Sequence, residues 1–144
     1  MKCRNNAKVP EEPVRLNAMP ITYEIDKERS LVRTTVTGRL TDADLLAHKR
    51  ALLADPCFSI GMKELSDIRG VEEFEVTPEG IMAAAFFDSR NKAELGTHQL
   101  ALVASADLVF GMARMYGMRT DGNTGGVGVF RSEEEAKVWL EASE

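Results

Sequence analysis

The stretch LVRTTVTGRLTDADLLAHKRALLADP, residues 31–56, changes from a strand pattern to a helix pattern just after Gly38. Before Gly38 the residues are largely β-branched, which favours a strand. After it, Thr41 offers a cap oxygen, and leucines follow at helical spacing as far as Pro56. The same change of period occurs three more times along the chain, so the sequence predicts four strand-to-helix units.

The three later units carry the same signals. Thr77 stands before Pro78 in the order expected for a helix cap and a first-turn proline, and Ser132 with Glu135 has the pattern of a capping box. The acidic segment VEEFE, residues 71–75, is predicted to be a loop. The predicted pairs are strand 62–68 with helix 77–91, strand 98–104 with helix 105–119, and strand 127–130 with helix 132–140.

The segment before these units predicts an antiparallel hairpin. Ile21–Ile25 and Leu31–Thr37 are short β-type runs on either side of the polar turn DKERS. Residues 1–18 are polar and contain two prolines, so we expect an irregular N-terminal arm followed by one domain over residues 19–144. The predicted fold is α/β: a mixed five-stranded sheet with an N-terminal antiparallel hairpin followed by four right-handed βα turns.

Composition and charge exclude several classes of protein. The net charge is -5 and the basic residues are scattered, which argues against a nucleic-acid partner. The start of the chain lacks the apolar segment of a secretory signal, and no run is long enough for an integral membrane segment. Cys3 and Cys57 have no CxxC spacing, so neither a disulfide nor a zinc site is predicted. A reduced, cytoplasmic location is expected.

No catalytic or cofactor motif stands out. His48, on the predicted polar side of its helix, and His98 are the only imidazoles, and their spacing matches no metal motif. There is no GxSxG elbow, and the glycines of GNTGG, residues 122–126, lack the Lys-Ser/Thr ending of a P-loop. We therefore expect a protein that is not an enzyme and that holds no metal and no cofactor.

Four segments carry a resemblance to a known family. They are GRLT at 38–41, LSDIRGV at 65–71, HQLALVASADLVFGMARMY at 98–116 and VFRSEEEAKVWL at 129–140. With the order of elements, they resemble the STAS domain of the sporulation anti-anti-sigma factors. They are most similar to its uncharacterised SpoIIAA-like branch, which is described as related to CRAL-TRIO lipid-transfer domains. The resemblance covers residues 20–144 and implies the fold more than the function, because the branch has no settled biochemical activity.

The resemblance also implies a regulatory surface. In regulatory STAS proteins a kinase modifies a serine at the start of the second helix. The matching stretch here is EFEVTPEG, residues 73–80, which has no serine, and Thr77 stands nearest to that place. Simple helix capping is the alternative role for Thr77. The loop from Asp67 to Gly80 is the expected regulatory surface, with Asp67, Arg69, Thr77 and Glu79 as its candidate residues.

Arginines and helix caps are predicted to meet at one edge of the sheet. Three arginines fall just beyond the carboxyl ends of predicted strands, and hydroxyl residues cap helices at the same edge. Ligands of α/β sheets bind at this edge, and an anion could meet guanidinium groups and helix N-termini there. The alternative is that these are solvated loop charges. The candidates are Arg39, Thr41, Arg69, Ser105, Arg131 and Ser132.

The second and third predicted helices have more apolar surface than one buried face requires. The run IMAAAFF, residues 81–87, is unbroken, and methionines and a tyrosine follow in the third helix. A twin subunit, an apolar ligand between these helices, or ordinary core packing could each cover the excess. The candidates are Met82, Phe86, Phe87, Met112, Met115 and Tyr116.

Two functions follow from this surface. Because STAS-like domains act mainly through protein contacts, the resemblance favours a regulatory or protein-interaction module. This module would form a homodimer and have a regulatory protein as a further partner. The alternative is a carrier of a small apolar or amphipathic, lipid-like ligand held between the second and third helices.

Overall fold

The computed structural model describes residues 2–4, 20–96, 98–120 and 126–142, with only the backbone described for 2–4 and 117–120. The strands are β1 (Lys2–Arg4), β2 (Ile21–Asp26), β3 (Leu31–Thr41), β4 (Lys63–Glu75), β5 (Gln99–Val103) and β6 (Gly126–Phe130). The helices are α1 (Asp42–Ala54), α2 (Pro78–Arg90), α3 (Lys92–Leu95), α4 (Asp107–Thr120) and α5 (Glu133–Ala142).

The strands form one mixed sheet in the order β1-β2-β3-β4-β5-β6. β1, β2 and β3 are antiparallel neighbours, and β3 to β6 are parallel. The predicted α/β fold with an N-terminal hairpin is therefore confirmed. The five predicted strands gain a sixth, because Lys2–Arg4 pairs with β2 instead of being part of an irregular arm. The other residues of that arm lie outside the described part, and the predicted domain boundary stays a prediction.

The β3–β4 pair is longer than predicted. It continues past Gly38 and Ile68 until Thr41 lies opposite Glu75, so the VEEFE segment is strand and not loop. The register shifts beside Gly38, which has a φ of 74°. Glycine adopts this positive φ with little strain, unlike residues that carry a Cβ. β5 reaches only as far as Asp67 along β4. The outer half of β4, residues 69–75, is therefore mostly exposed, and its polar sequence is typical of a loop.

The two faces of the sheet are covered unequally. α2 and α4 pack with the largest core cluster on one face, which includes Val36, Ile68 and Leu100. α5 packs on the other face against Leu65 and Ala101. Alternation along β4 therefore directs neighbouring side chains to different layers.

The predicted caps place the helices on this frame. The Thr41 hydroxyl accepts from the backbone N–H of Asp44 at 3.2 Å, and that of Thr77 accepts from Gly80 at 3.0 Å. The Ser132 hydroxyl accepts from the backbone N–H of Glu135 at 3.2 Å. These three predicted caps are confirmed. The fourth, Ser105, is wrong, because α4 begins at Asp107 and the carbonyl of Ala106, not that of Ser105, accepts its first hydrogen bond.

Cys57 is disulfide-bonded, so the prediction that no disulfide forms is wrong. Cys57 packs in the same small core cluster as Ile25, which lies opposite β1 in the sheet. No local pattern indicates this disulfide, because β1 itself was not predicted. The cytoplasmic location stays a prediction. In the described residues, no helix has the length and apolar character needed to cross a bilayer.

Candidate functional site

A cavity of about 110 Å³ lies between the sheet and the helices α1, α2 and α4. Most of its wall is apolar, with Val36 and Leu102 from the sheet and Leu45, Ala84 and Val109 from the helices. Eight polar side chains also reach it: Thr34, His48, Lys49, Glu64, Ser66, Asp88, His98 and Tyr116. Buried polar groups cost stability unless they are paired, so their partners decide what the cavity can bind.

Glu64 is the centre of the first polar cluster. It lies on β4 and is only 5% exposed. Its Oε2 accepts from the Thr34 hydroxyl at 2.6 Å and lies 3.0 Å from His48 Nε2. Its Oε1 lies 3.2 Å from His98 Nε2. Strands β3 and β4, helix α1 and the residue before β5 thus meet at one carboxyl group.

The hydrogen bonds of His98 fix how many protons the His98–Glu64 pair holds. The Nδ1 of His98 faces the backbone carbonyl of Met62, which can only accept. The Nε2 faces Glu64 Oε1. Either His98 carries both protons and pairs with a Glu64 carboxylate, or Glu64 carries the proton and donates it to a neutral His98. In both cases the pair is neutral overall and shares one proton across this contact.

The electrostatics favour the ionised carboxylate. Burial alone would raise the pKa of Glu64, but hydrogen bonds from His48 and His98 hold that pKa well below its usual value. Aromatic rings enclose both imidazoles, since Tyr23 meets His48 edge-on and Phe58 meets His98 edge-on, each with ring centroids 5.7 Å apart.

Lys49 is the centre of the second polar cluster. Its Nζ donates to Asp88 Oδ1 at 2.9 Å and to the Tyr116 hydroxyl at 2.6 Å, and that hydroxyl donates to Asp88 Oδ2. These bonds join α1, α2 and α4. Burial alone would lower the pKa of Lys49, but Tyr116 and Asp88 outweigh it and hold the pKa above its usual value. Burial also raises the pKa of Tyr116, so its hydroxyl stays protonated.

The structure separates the six predicted apolar candidates into two groups. Phe87, Met112 and Tyr116 line the cavity, while Met115 is half-buried beside the main core cluster. Met82 and Phe86 lie on the outer face of α2, where they are 52% and 62% exposed.

The predicted anion-binding arginines are each paired with a carboxylate. Arg39 pairs with Glu75 at 3.0 Å. Arg69 donates to Asp67 at 2.9 Å, and its guanidinium also lies 3.6 Å from Glu133 of α5. The bond from Arg69 is the main cause that lowers the pKa of Asp67.

Arg131 has three neighbours at the same edge. It pairs with Asp107 at 2.9 Å, donates to the backbone carbonyl of Ser105 and lies 4.0 Å from the Phe110 ring centroid. Each of these arginines is therefore charge-balanced. An anion would compete with a carboxylate at each one, and the anion site stays a prediction.

Thr77 is held by a neighbouring helix. Its backbone N–H and its hydroxyl donate to the two oxygens of Asp42 at 2.8 and 2.6 Å. Glu79 is exposed in the first turn of α2. A phosphate on Thr77 would face the Asp42 carboxylate, which opposes phosphorylation. The regulatory role of Thr77 stays a prediction.

The polar clusters of the cavity were not predicted from the sequence. His48 was predicted on the polar side of its helix, but its side chain lies against Glu64, because residues of α1 line the cavity between the sheet and α2. The signal that could have found the cluster is Glu64 itself, a carboxylate inside the predicted strand 62–68. Among the described residues, no group of three or more His, Cys, Asp or Glu side chains could hold a metal ion.

The comparisons with known proteins identify the fold. No protein-family model and no curated protein matches the chain. The crystal structure of an uncharacterised DUF3478-family protein with a SpoIIAA-like fold, from Shewanella loihica PV-4, matches with a TM-score of 0.50 and 17% sequence identity. The match covers 76% of this chain and 83% of that one. The chain therefore has a SpoIIAA-like fold, as the resemblance implied.

Proposed function

We propose that this protein is a non-catalytic binder of a small amphipathic molecule, which it holds in the cavity between the sheet and α1, α2 and α4. The observation that carries this proposal is an apolar cavity whose wall includes two buried polar clusters. Ligand sites of this kind combine apolar walls with a few fixed polar groups.

The size of the cavity sets the size of the ligand. An engineered apolar cavity of about 150 Å³ binds benzene. A cavity of about 110 Å³ therefore suits a compact molecule of similar or smaller size. A long lipid chain would need the helices to move apart, so the compact end of the predicted ligand class is favoured.

Native mass spectrometry of the purified protein tests this proposal. A discrete extra mass on the chain would support it. In the variant Ala84→Leu, three added carbon atoms fill the cavity, and the extra mass should be lost. The matched control is Ala83→Leu on the same helix, where residue 83 does not line the cavity. Equal retention of the extra mass by both variants would contradict this placement.

A second test applies if the protein is purified without a bound ligand. Toluene, added to the unliganded protein, should shift the backbone amide NMR signals of residues that line the cavity. Ala113→Leu on α4 is a second cavity-filling variant in case Ala84→Leu does not fold. Toluene that binds wild type and Ala113→Leu equally would exclude the cavity as the site.

Self-association through α2 is the second candidate function. Met82 and Phe86 are exposed one turn apart on this helix, and the guanidinium of Arg90 lies 5.6 Å from the Phe86 ring centroid. A second copy of the chain would bury these side chains, as expected for a homodimeric interaction module. Light scattering should then report a dimer that Phe86→Glu dissociates. A wild-type monomer at all concentrations would exclude it.

A further inference from the structure

The charged side chains of the cavity wall are all paired with one another. Lys49 pairs with Asp88 at 2.9 Å, and Glu64 pairs with His48 and His98 at 3.0 and 3.2 Å. The wall therefore offers no net charge to a ligand.

Hydroxyl groups of the wall are also engaged, with one exception. Thr34 donates to Glu64, and Tyr116 donates to Asp88. Ser66 is only 6% exposed and lines the cavity, and no hydrogen bond from its hydroxyl occurs in the described part of the chain. Ser66 lies opposite Thr34 in the β3–β4 register, at the polar end of the cavity floor.

From this balance we infer that the ligand is an electrically neutral molecule with one hydrogen-bonding group, which binds the Ser66 hydroxyl. This inference rests on the proposed function. A neutral hydroxyl, carbonyl or amide can pair with Ser66, because a serine hydroxyl both donates and accepts. A carboxylate or an ammonium ion would lose its hydration in the cavity and find no unpaired opposite charge in return.

Two pairs of probes, each matched in shape, test the inference by NMR titration. Phenol and toluene differ in whether the substituent forms hydrogen bonds, and isobutyramide and isobutyrate differ in charge. We expect phenol to bind wild type about three- to tenfold more tightly than toluene, the usual contribution of one neutral hydrogen bond. We expect isobutyramide to bind at least about tenfold more tightly than isobutyrate.

The variant Ser66→Ala separates the two parts of the inference. It should remove the preference for phenol over toluene and leave the affinity for toluene unchanged. Isobutyrate that binds as tightly as isobutyramide would overturn the neutral ligand class. A phenol preference that survives in Ser66→Ala would overturn the role of Ser66.

The same titrations distinguish failure of the proposed binding function from failure of this inference alone. If none of the four probes shifts the signals of cavity residues, the binding function itself fails and this inference falls with it. If toluene and phenol bind while the charge or Ser66 comparison fails, the cavity is a binding site and only this inference is wrong.

Discussion

Replacement of Glu64 tests the buried cluster at its centre. In Glu64→Leu, one hydroxyl and two imidazole nitrogens lose the acceptor that they contact at 2.6, 3.0 and 3.2 Å. Removing one partner of a buried, hydrogen-bonded charge pair costs about 3–5 kcal/mol of unfolding free energy. Domains of this size have about 5–15 kcal/mol in total. The variant should therefore be much less stable than wild type.

The substitution Glu64→Gln separates charge from hydrogen bonding. The amide oxygen can still accept from Thr34 and His48, and the amide nitrogen can donate to His98 Nε2. Neutral hydrogen bonds replace charge-assisted ones, so we expect a smaller loss of about 1–2 kcal/mol. Because Nδ1 of His98 faces the Met62 carbonyl, the ring hydrogen should then lie on Nδ1, and imidazole ¹⁵N NMR would report this tautomer.

Chemical unfolding followed by the fluorescence of Trp139 measures these losses. Trp139 is the only tryptophan and packs against Phe130 with ring centroids 5.6 Å apart, so unfolding changes its surroundings. The matched control is Glu72→Leu on the exposed part of β4, which should change stability by less than about 0.5 kcal/mol.

The pH dependence of the free energy of unfolding is an independent test of the role of Glu64. The pKa of Glu64 lies well below its usual 4.5 in the folded protein, so the unfolded chain binds more protons between the two values. The stabilisation by Glu64 is complete above pH 4.5 and is lost as the pH falls through the folded pKa. The gap between wild type and Glu64→Gln should narrow over that range. A Glu64→Leu variant as stable as wild type, or a gap that does not change with pH, would refute the reasoning.

Two further predictions concern the helix contacts. Lys49→Met should cost about 3–5 kcal/mol because Asp88 stays buried without its cation, and adding Asp88→Leu should recover most of the loss in chemical unfolding. No recovery in the double variant would show that packing, and not the unpaired charge, causes the loss. Gly80→Ala should lower the melting temperature, because the added Cβ would lie 1.9 Å from Asp42 Oδ1, and overpacking of this kind costs about 1–3 kcal/mol. Its control is Gly111→Ala in α4, where a Cβ meets nothing within 4 Å and helix propensity should improve. Equal effects of the two alanines would contradict the clash.

The elements with strong local signals were predictable. Thr41, Thr77 and Ser132 cap their helices as their positions indicate, because a cap depends on residues within one turn. The elements that depend on distant partners were not predictable. β1 and the outer half of β4 have polar sequences, and only pairing with β2 and β3 makes them strands.

The sequence by itself determined the α/β order of the elements, because the period of apolar residues and the capping residues act over a few neighbours. Its resemblance to a known family implied the SpoIIAA-like fold. Only the tertiary structure brought Glu64 to His48 and His98, and Lys49 to Asp88 and Tyr116. These partners lie 16 to 67 positions apart, so no local pattern records their pairing. Their charges balance inside an apolar cavity, where an unpaired charge would be too costly to bury.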